Sequence, residues 1–382
     1  MSASIYLDYA ATTPLDPAVR DAMLPYLGEV FGNASSPHQI GQRARRAIDA
    51  ARDTVAAALA CDSGEVYFMS GGTEADNTAL IGVLLAARAL GRDHLVTTTI
   101  EHHAVLDCAG FAAEHLGFDV TYVPVDVMGR VDPLAVEMAL TDRTALVSVM
   151  HANNEIGTIQ PIRAISQRIR GRGIYFHTDA VQTLGQTPLD VDWLGVDLLT
   201  VSGHKIYGPK GVGALYVRRG VPWIPYLHGG MQEREKRAGT ENTAAIVGMG
   251  KAVELLPTWR ESEVTRLREL RDSFIAAVRA ELPGTTLNGD PINRLSNNVS
   301  LSFAGADGET LLFGLDLHGI AASSGSACAS GSIEPSHVLM ALGQTAREAG
   351  GAVRFSLGRE TRADDLTYVV SVLRQLVGQA WV

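Results

Sequence analysis

Cysteine is scarce in this sequence. Three residues, Cys61, Cys108 and Cys328, are spread over 382 positions. They are too few and too scattered for a disulfide framework or a cysteine-rich zinc site, which points to a reducing, cytoplasmic setting. Charge is also thin, at 19% of residues against 46% hydrophobic. That lies below the roughly 25% charged residues of ordinary globular chains, so a disordered chain is excluded and a large buried core is expected. Positive charge is in deficit, with 32 Lys and Arg against 42 Asp and Glu. Direct nucleic-acid binding, which needs a basic face, is therefore not expected. Long hydrophobic runs are missing too. The most apolar stretch, Ala79–Ala87, stops at Arg88, far short of the roughly 20 residues that span a bilayer. The opening residues have no basic region, and Asp8 interrupts their apolar stretch, so no secretory leader is expected. Neither a Gly-Lys-Ser/Thr phosphate loop nor a His-Glu-X-X-His zinc motif occurs, which argues against nucleotide hydrolysis and that type of metal site.

What is present alternates between short β-rich runs and longer amphipathic ones. Glu65–Met69, His94–Thr99, Val120–Val123, Ala145–Met150, Ile174–Phe176, Leu198–Val201 and Gly213–Val217 read as strands. Helices are expected over Thr73–Leu90, His102–Leu116 and Pro161–Arg170. This order predicts an α/β protein with a mainly parallel seven-stranded sheet covered on both faces. After Gly239 the texture changes to two long helices, Thr240–Leu256 and Glu261–Leu282. Then come a strand Asn298–Phe303, a helix from Gly308, an irregular stretch Ala321–Ser332, a strand Val353–Leu357 and a last helix from Ala363. A large domain over 16–255 and a smaller α+β domain made of 1–15 plus 256–382 are expected.

Several segments could carry chemistry. Gly71-Gly72-Thr73-Glu74 follows a strand and opens a helix. It suits a phosphate cradle of free N–H groups, or an ordinary cap with Thr73 as the capping residue. Asp179, in His177-Thr-Asp-Ala-Val-Gln182, and Lys205, in Ser202-Gly-His204-Lys205, each follow a strand. They would lie at the carboxyl ends of parallel strands, where open α/β sheets bind ligands. A lysine for a Schiff base, a carboxylate for a pyridine nitrogen and donors for a phosphate are the needs of pyridoxal phosphate. In Glu101-His102-His103, adjacent histidines point apart and do not readily share a metal, so no metal site is expected; one ring could lie against a planar cofactor. Arg354 stands inside an apolar strand, where its charge demands either a ligand carboxylate or an internal Asp or Glu. Cys328, in Ser323-Ser-Gly-Ser-Ala-Cys-Ala-Ser-Gly-Ser, has only small neighbours. They leave it little to bury against and suit a thiol that must travel. Cys61 and Cys108 lie in Ala-rich helical surroundings and read as packed, inert thiols.

Together with Tyr6-Leu-Asp-Tyr-Ala-Ala-Thr-Thr-Pro, Asn153-Asn-Glu-Ile-Gly and Arg237-Ala-Gly-Thr-Glu-Asn, these segments resemble the cysteine desulfurases. These are pyridoxal-phosphate enzymes of the class V aminotransferase family, with the fold type I (aspartate aminotransferase-like) architecture of PLP-dependent transferases. The cysteine segment is similar to group I, the NifS/IscS type. The resemblance implies the following roles. Lys205 would hold the cofactor, Asp179 would pair with the ring nitrogen, and Gln182 would contact the ring hydroxyl. His102 would stack on the ring. Gly72, Thr73, Ser202 and His204 would bind the phosphate. Thr240 would reach the phosphate of the other subunit of a homodimer. Arg354, Asn154 and Asn33 would hold the carboxylate of L-cysteine, and Cys328 would take the sulfur as a persulfide. The product would be L-alanine. The sulfur would pass to an acceptor protein in iron–sulfur cluster assembly or tRNA thiolation. The chain ends one helix after Arg359, without the longer tail that some members use to dock a scaffold, which leaves the acceptor open. A selenocysteine lyase or another class V aminotransferase is the alternative. The Ser202-X-X-Lys205 spacing of serine acyl-enzymes lacks its companion Ser-Asp-Asn and Lys-Thr-Gly motifs.

Overall fold

The computed structural model describes residues 5–324 and 335–380. Seven short runs rich in Val, Leu, Thr and aromatic residues form one sheet: β1 (Val66–Met69), β2 (His94–Thr98), β3 (Asp119–Val123), β4 (Thr144–Ser148), β5 (Tyr175–Asp179), β6 (Leu198–Ser202) and β7 (Gly213–Val217). Their spatial order is β1-β7-β6-β5-β4-β2-β3. β7 runs antiparallel to both its neighbours, and the other pairings are parallel.

Apart from the edge strand β3, which leaves Asp119 and Tyr122 exposed, the strands are buried almost throughout because both faces are covered. Four helices pack against the sheet: α1 (Gln39–Leu59), α2 (Gly72–Arg88), α3 (His103–Leu116) and α4 (Thr243–Glu281). Leu95, Leu146, Leu198 and Leu215 pack on one face with α2 and α3. Val96, Val147, Leu199 and Ala214 pack on the other with α1 and the first half of α4. Each such side chain contributes ~1.5–3 kcal/mol by leaving water.

A second core gathers Leu267, Phe274 and Val278 of α4, the C-terminal helix Ala363–Ala380 and a three-stranded antiparallel sheet. The strands of that sheet are β8 (Thr285–Leu287), β9 (Asn298–Phe303) and β10 (Ala352–Ser356), with β9 in the middle. The two helices expected between 240 and 282 are one continuous helix of 39 residues, with Pro257 inside it. A proline removes one helical hydrogen bond and disfavours the preceding turn. Here Leu256 on one side and Leu267 on the other are each anchored in a different core. Tertiary burial thus holds the helix through its proline.

The N-terminal segment crosses between the cores. Ile5–Tyr6 pairs with Ile320–Ala321, and Leu7 is buried in the second core. Thr13 N–H donates to the His204 carbonyl at 3.0 Å, and Asp16 N–H to that of Tyr207 at 3.0 Å. Tyr207 N–H donates to the Thr13 hydroxyl at 2.8 Å. These bonds hold Tyr207 at φ 63, a left-handed conformation that a bulky residue adopts only when its surroundings impose it.

Candidate active site

The carboxyl ends of the parallel strands converge on one pocket of about 290 Å³. Asp179 is the last residue of β5, and Ser202 is the last of β6. His204 and Lys205 stand in the short turn after β6. Gly72 and Thr73 open α2 after β1, and His102 caps α3 after β2. Asn154 and Gln182 follow β4 and β5, and Arg354 reaches in from β10. Ten of the residues singled out from sequence thus line a single pocket. A larger cavity of about 630 Å³, at the amino end of β5 beside Trp193 and Arg218, contains none of them.

The start of α2 settles the alternatives for Thr73. The helix is capped by Gly71, and no side chain takes the capping hydrogen bond. Its first N–H groups and the Thr73 hydroxyl therefore remain for an anion. Glu74 does not approach the opening. It accepts from Ser70 N–H at 2.8 Å and is forked by Arg237 at 2.8 and 3.1 Å. The cradle needs close backbone approach behind it. A Cβ on Gly213 would stand 2.7 Å from the Val201 carbonyl and 2.8 Å from Gly71, so alanine there would push the cradle out of place. The buried Ser202 hydroxyl has no hydrogen-bond partner among the described residues.

Lys205 Nζ donates to the carbonyls of Ala10 and Ala11 at 2.5 and 2.7 Å. Gln182 Nε2 donates to Ala10 at 3.1 Å. Burial lifts the Asp179 carboxyl to about 6, against the Val181 N–H it accepts and the nearby Lys205 charge. Burial pushes the His102 imidazole down to about 4, with Lys205 and two neighbouring histidines adding to the effect. Its Nδ1 accepts from Ala104 N–H at 3.0 Å, so the neutral ring carries its proton on Nε2. His204 is likewise pushed down to about 4 by burial and Lys205, and its Nδ1 lies 3.2 Å from the Thr12 hydroxyl.

Arg354 is 3% exposed and pairs with Asp8 at 2.9 Å. It also donates to the Asn154 carbonyl at 3.1 Å. Of the two expectations for this arginine, the internal ion pair is present. Asn33 is not brought to the pocket. Its side chain accepts from Ser35 N–H at 2.8 Å in an exposed turn, which uses the amide locally. Thr240 lies outside the pocket as well, exposed on the segment before α4. Cys328 lies outside the described residues. Cys61 and Cys108 are packed as expected, and burial pushes both thiols up to about 12.

Sequence reasoning missed three contributors: the Ala10–Ala11 floor, Asp8 and Asp76. The first two lie in the N-terminal motif, whose pairing with residues some 190 and 346 positions away no local pattern announces. Asp76, one turn into α2, is 1% exposed and lines the pocket. Burial and the Asp179 charge raise it well above the usual carboxylate range.

Glu101, fully buried behind His102, accepts from Thr98 Oγ1 and Met150 N–H, and burial raises it to about 8. The folded state therefore keeps a proton that the unfolded chain releases above its ordinary 4.5. This group lowers stability progressively as pH rises from about 4.5 to about 8. Glu101→Gln is expected to gain stability relative to the parent as pH is raised through that window. Paired denaturant titrations at its two ends measure this, and an offset that does not change with pH would contradict it.

A class V aminotransferase family model matches residues 5–369, and the chain belongs to that family. Among its members it is similar to the cysteine desulfurases. It is 52% identical over 377 residues to "Cysteine desulfurase IscS" of Dictyoglomus turgidum, covering 99% of this chain and 95% of that protein. A solved NifS-like protein superposes with a TM-score of 0.92 at 35% identity, covering 98% of this chain and 99% of that one. Another, "SspA in complex with cysteine", gives 0.82 at 37% identity, covering 93% and 99%. The family uses pyridoxal 5'-phosphate. The pocket's donor set fits that group, with a helix start that no side chain caps and an orphaned Ser202 hydroxyl at one end and the Asp179 carboxyl deep within.

Proposed function

We propose that this protein is a cysteine desulfurase that takes sulfur from L-cysteine, leaves L-alanine and carries the sulfur as a persulfide on Cys328. The convergence of Lys205, Asp179, His102 and Arg354 on one pocket, in a chain half identical to a cysteine desulfurase, carries this reading. The relatives are named for this activity, so selenocysteine lyase and plain amino-group transfer are not favoured.

Pyridoxal phosphate, when bound, supplies an electron sink for the substrate carbon. Gly72, Thr73, Ser202 and His204 would hold its phosphate, Asp179 would pair with the ring nitrogen, and Gln182 would contact the ring hydroxyl. Lys205 would provide the amine that holds the cofactor and would move protons at Nζ. His102 would stack on the ring, with its Nε2 proton available for transfer. Arg354 binds the substrate carboxylate through its guanidinium, with Asp8 and the Asn154 carbonyl fixing the plane of the fork. The Cys328 thiolate attacks the substrate sulfur. An S–S bond forms and the C–S bond breaks, its electron pair staying on carbon, which takes up a proton. Sulfur then passes to an acceptor protein, in iron–sulfur cluster assembly or thiolation. No described helix is long and apolar enough to cross a membrane. A cytoplasmic homodimer, with Thr240 serving the second copy's phosphate, completes the proposal. So does a division into a large cofactor domain over 16–255 and a small domain of 1–15 plus 256–382.

The test is direct. The purified protein is expected to be yellow, to be bleached by borohydride, and to release sulfide and alanine in equal amounts from L-cysteine with a reductant. A colourless protein that takes up no pyridoxal phosphate would overturn the proposal.

A further inference from the structure

We propose that the buried Arg52–Glu233 pair is a positioning device that locks a left-handed turn and so presents Thr240 to the phosphate of a second copy of the chain. This rests on the role given to Thr240 above.

Three consecutive non-glycine residues, Glu233, Arg234 and Glu235, have φ values of 43, 57 and 66. L-residues visit this region singly and at a cost, so a run of three persists only where surrounding contacts over-determine it. Those contacts are present. Glu233 is 3% exposed. Its carboxylate receives the Arg52 fork at 2.6 and 2.7 Å and Phe68 N–H at 2.9 Å. Arg52 comes from α1, and Phe68 belongs to β1, the edge strand of the large sheet. Arg234 donates to the Val66 carbonyl at 2.6 Å. The turn is thereby fastened to the sheet edge that leads into the phosphate cradle. Three residues further on, Arg237 forks onto Glu74 in the first turn of α2. A second ion pair thus ties the same segment to the cradle. Thr240 projects just past this doubly held stretch and is exposed. The short path from clamp to Thr240 transmits orientation without touching the pocket, which makes Arg52 and Glu233 positioning residues.

The device acts on the phosphate and not on the ring, and this separates it from a merely structural role. Affinities of the cofactor-stripped full chain for pyridoxal phosphate and for pyridoxal, which lacks the phosphate, would be measured by absorbance titration. Glu233→Gln is expected to weaken pyridoxal phosphate by about tenfold, the scale of one charge-assisted hydrogen bond, and to leave pyridoxal within about twofold. Arg52→Lys, which keeps the buried charge but loses the fork, covers the case in which Glu233→Gln does not fold, and is expected to do the same. Thr240→Ala should show the same selective loss, and adding Glu233→Gln to it should weaken binding no further. A clamp variant with unchanged phosphate affinity beside a weakened Thr240→Ala would overturn the clamp. So would equal losses for both ligands. A Thr240→Ala chain that binds normally would instead overturn the role given to Thr240.

Discussion

Lys205→Ala is expected to lower L-cysteine turnover by about 10⁴-fold or more, on the order of 5 kcal/mol of transition-state stabilisation. The purified variant is also expected to show no chromophore that borohydride can fix to the chain. The size of the effect follows from two duties falling on one nitrogen: covalent attachment of the cofactor, and proton transfer at the substrate carbon. The structure also explains why the variant should fold. The turn that carries Lys205 is held by Thr13, Asp16 and Tyr207 through backbone and hydroxyl contacts that do not involve the lysine side chain. Alanine removes the donor to the Ala10 and Ala11 carbonyls and the positive charge beside Asp179, and leaves those turn contacts in place. Steady-state sulfide release and absorbance spectra check the prediction, and a folded variant within tenfold of the parent would refute the role of Lys205.

Cys328→Ser is expected to keep the yellow colour and cofactor affinity while losing sulfide release by about 10³-fold. A thiolate is a far stronger nucleophile toward sulfur than a hydroxyl. The other thiols cannot substitute for it. Burial holds Cys61 and Cys108 at about 12, so at neutral pH only about one in 10⁵ of either is ionised. Cys61→Ser and Cys108→Ala are accordingly expected to stay within about twofold of the parent. Labelling of persulfide after a single turnover with L-cysteine locates the sulfur on the chain. Undiminished release by Cys328→Ser, or persulfide on Cys61, would contradict the assignment.

Much of the fold was legible because its signals are local. Most strand runs are buried without alternation, as two covered faces require, and the edge strand β3 is the exception. Strand followed by helix then places Asp179, Lys205 and Thr73 at one end of the sheet. One expectation was overturned: Pro257 looked like a break between two helices, but burial in both cores carries one helix through it. The residue type suggested one outcome, and its partners decided another.

By itself the sequence determined the class of fold, since the succession of strands and helices along the chain is a property of local runs, and it supplied Lys205, Asp179 and His102 as candidates for the site. Only the tertiary structure decided which groups meet. It placed Ala10 and Ala11 under Lys205, paired Arg354 with Asp8, left Thr73 uncapped and locked a left-handed turn with Arg52 and Glu233. It also raised the Asp179 carboxyl and lowered the His102 imidazole, because both shifts come first from burial, which chain neighbours do not supply.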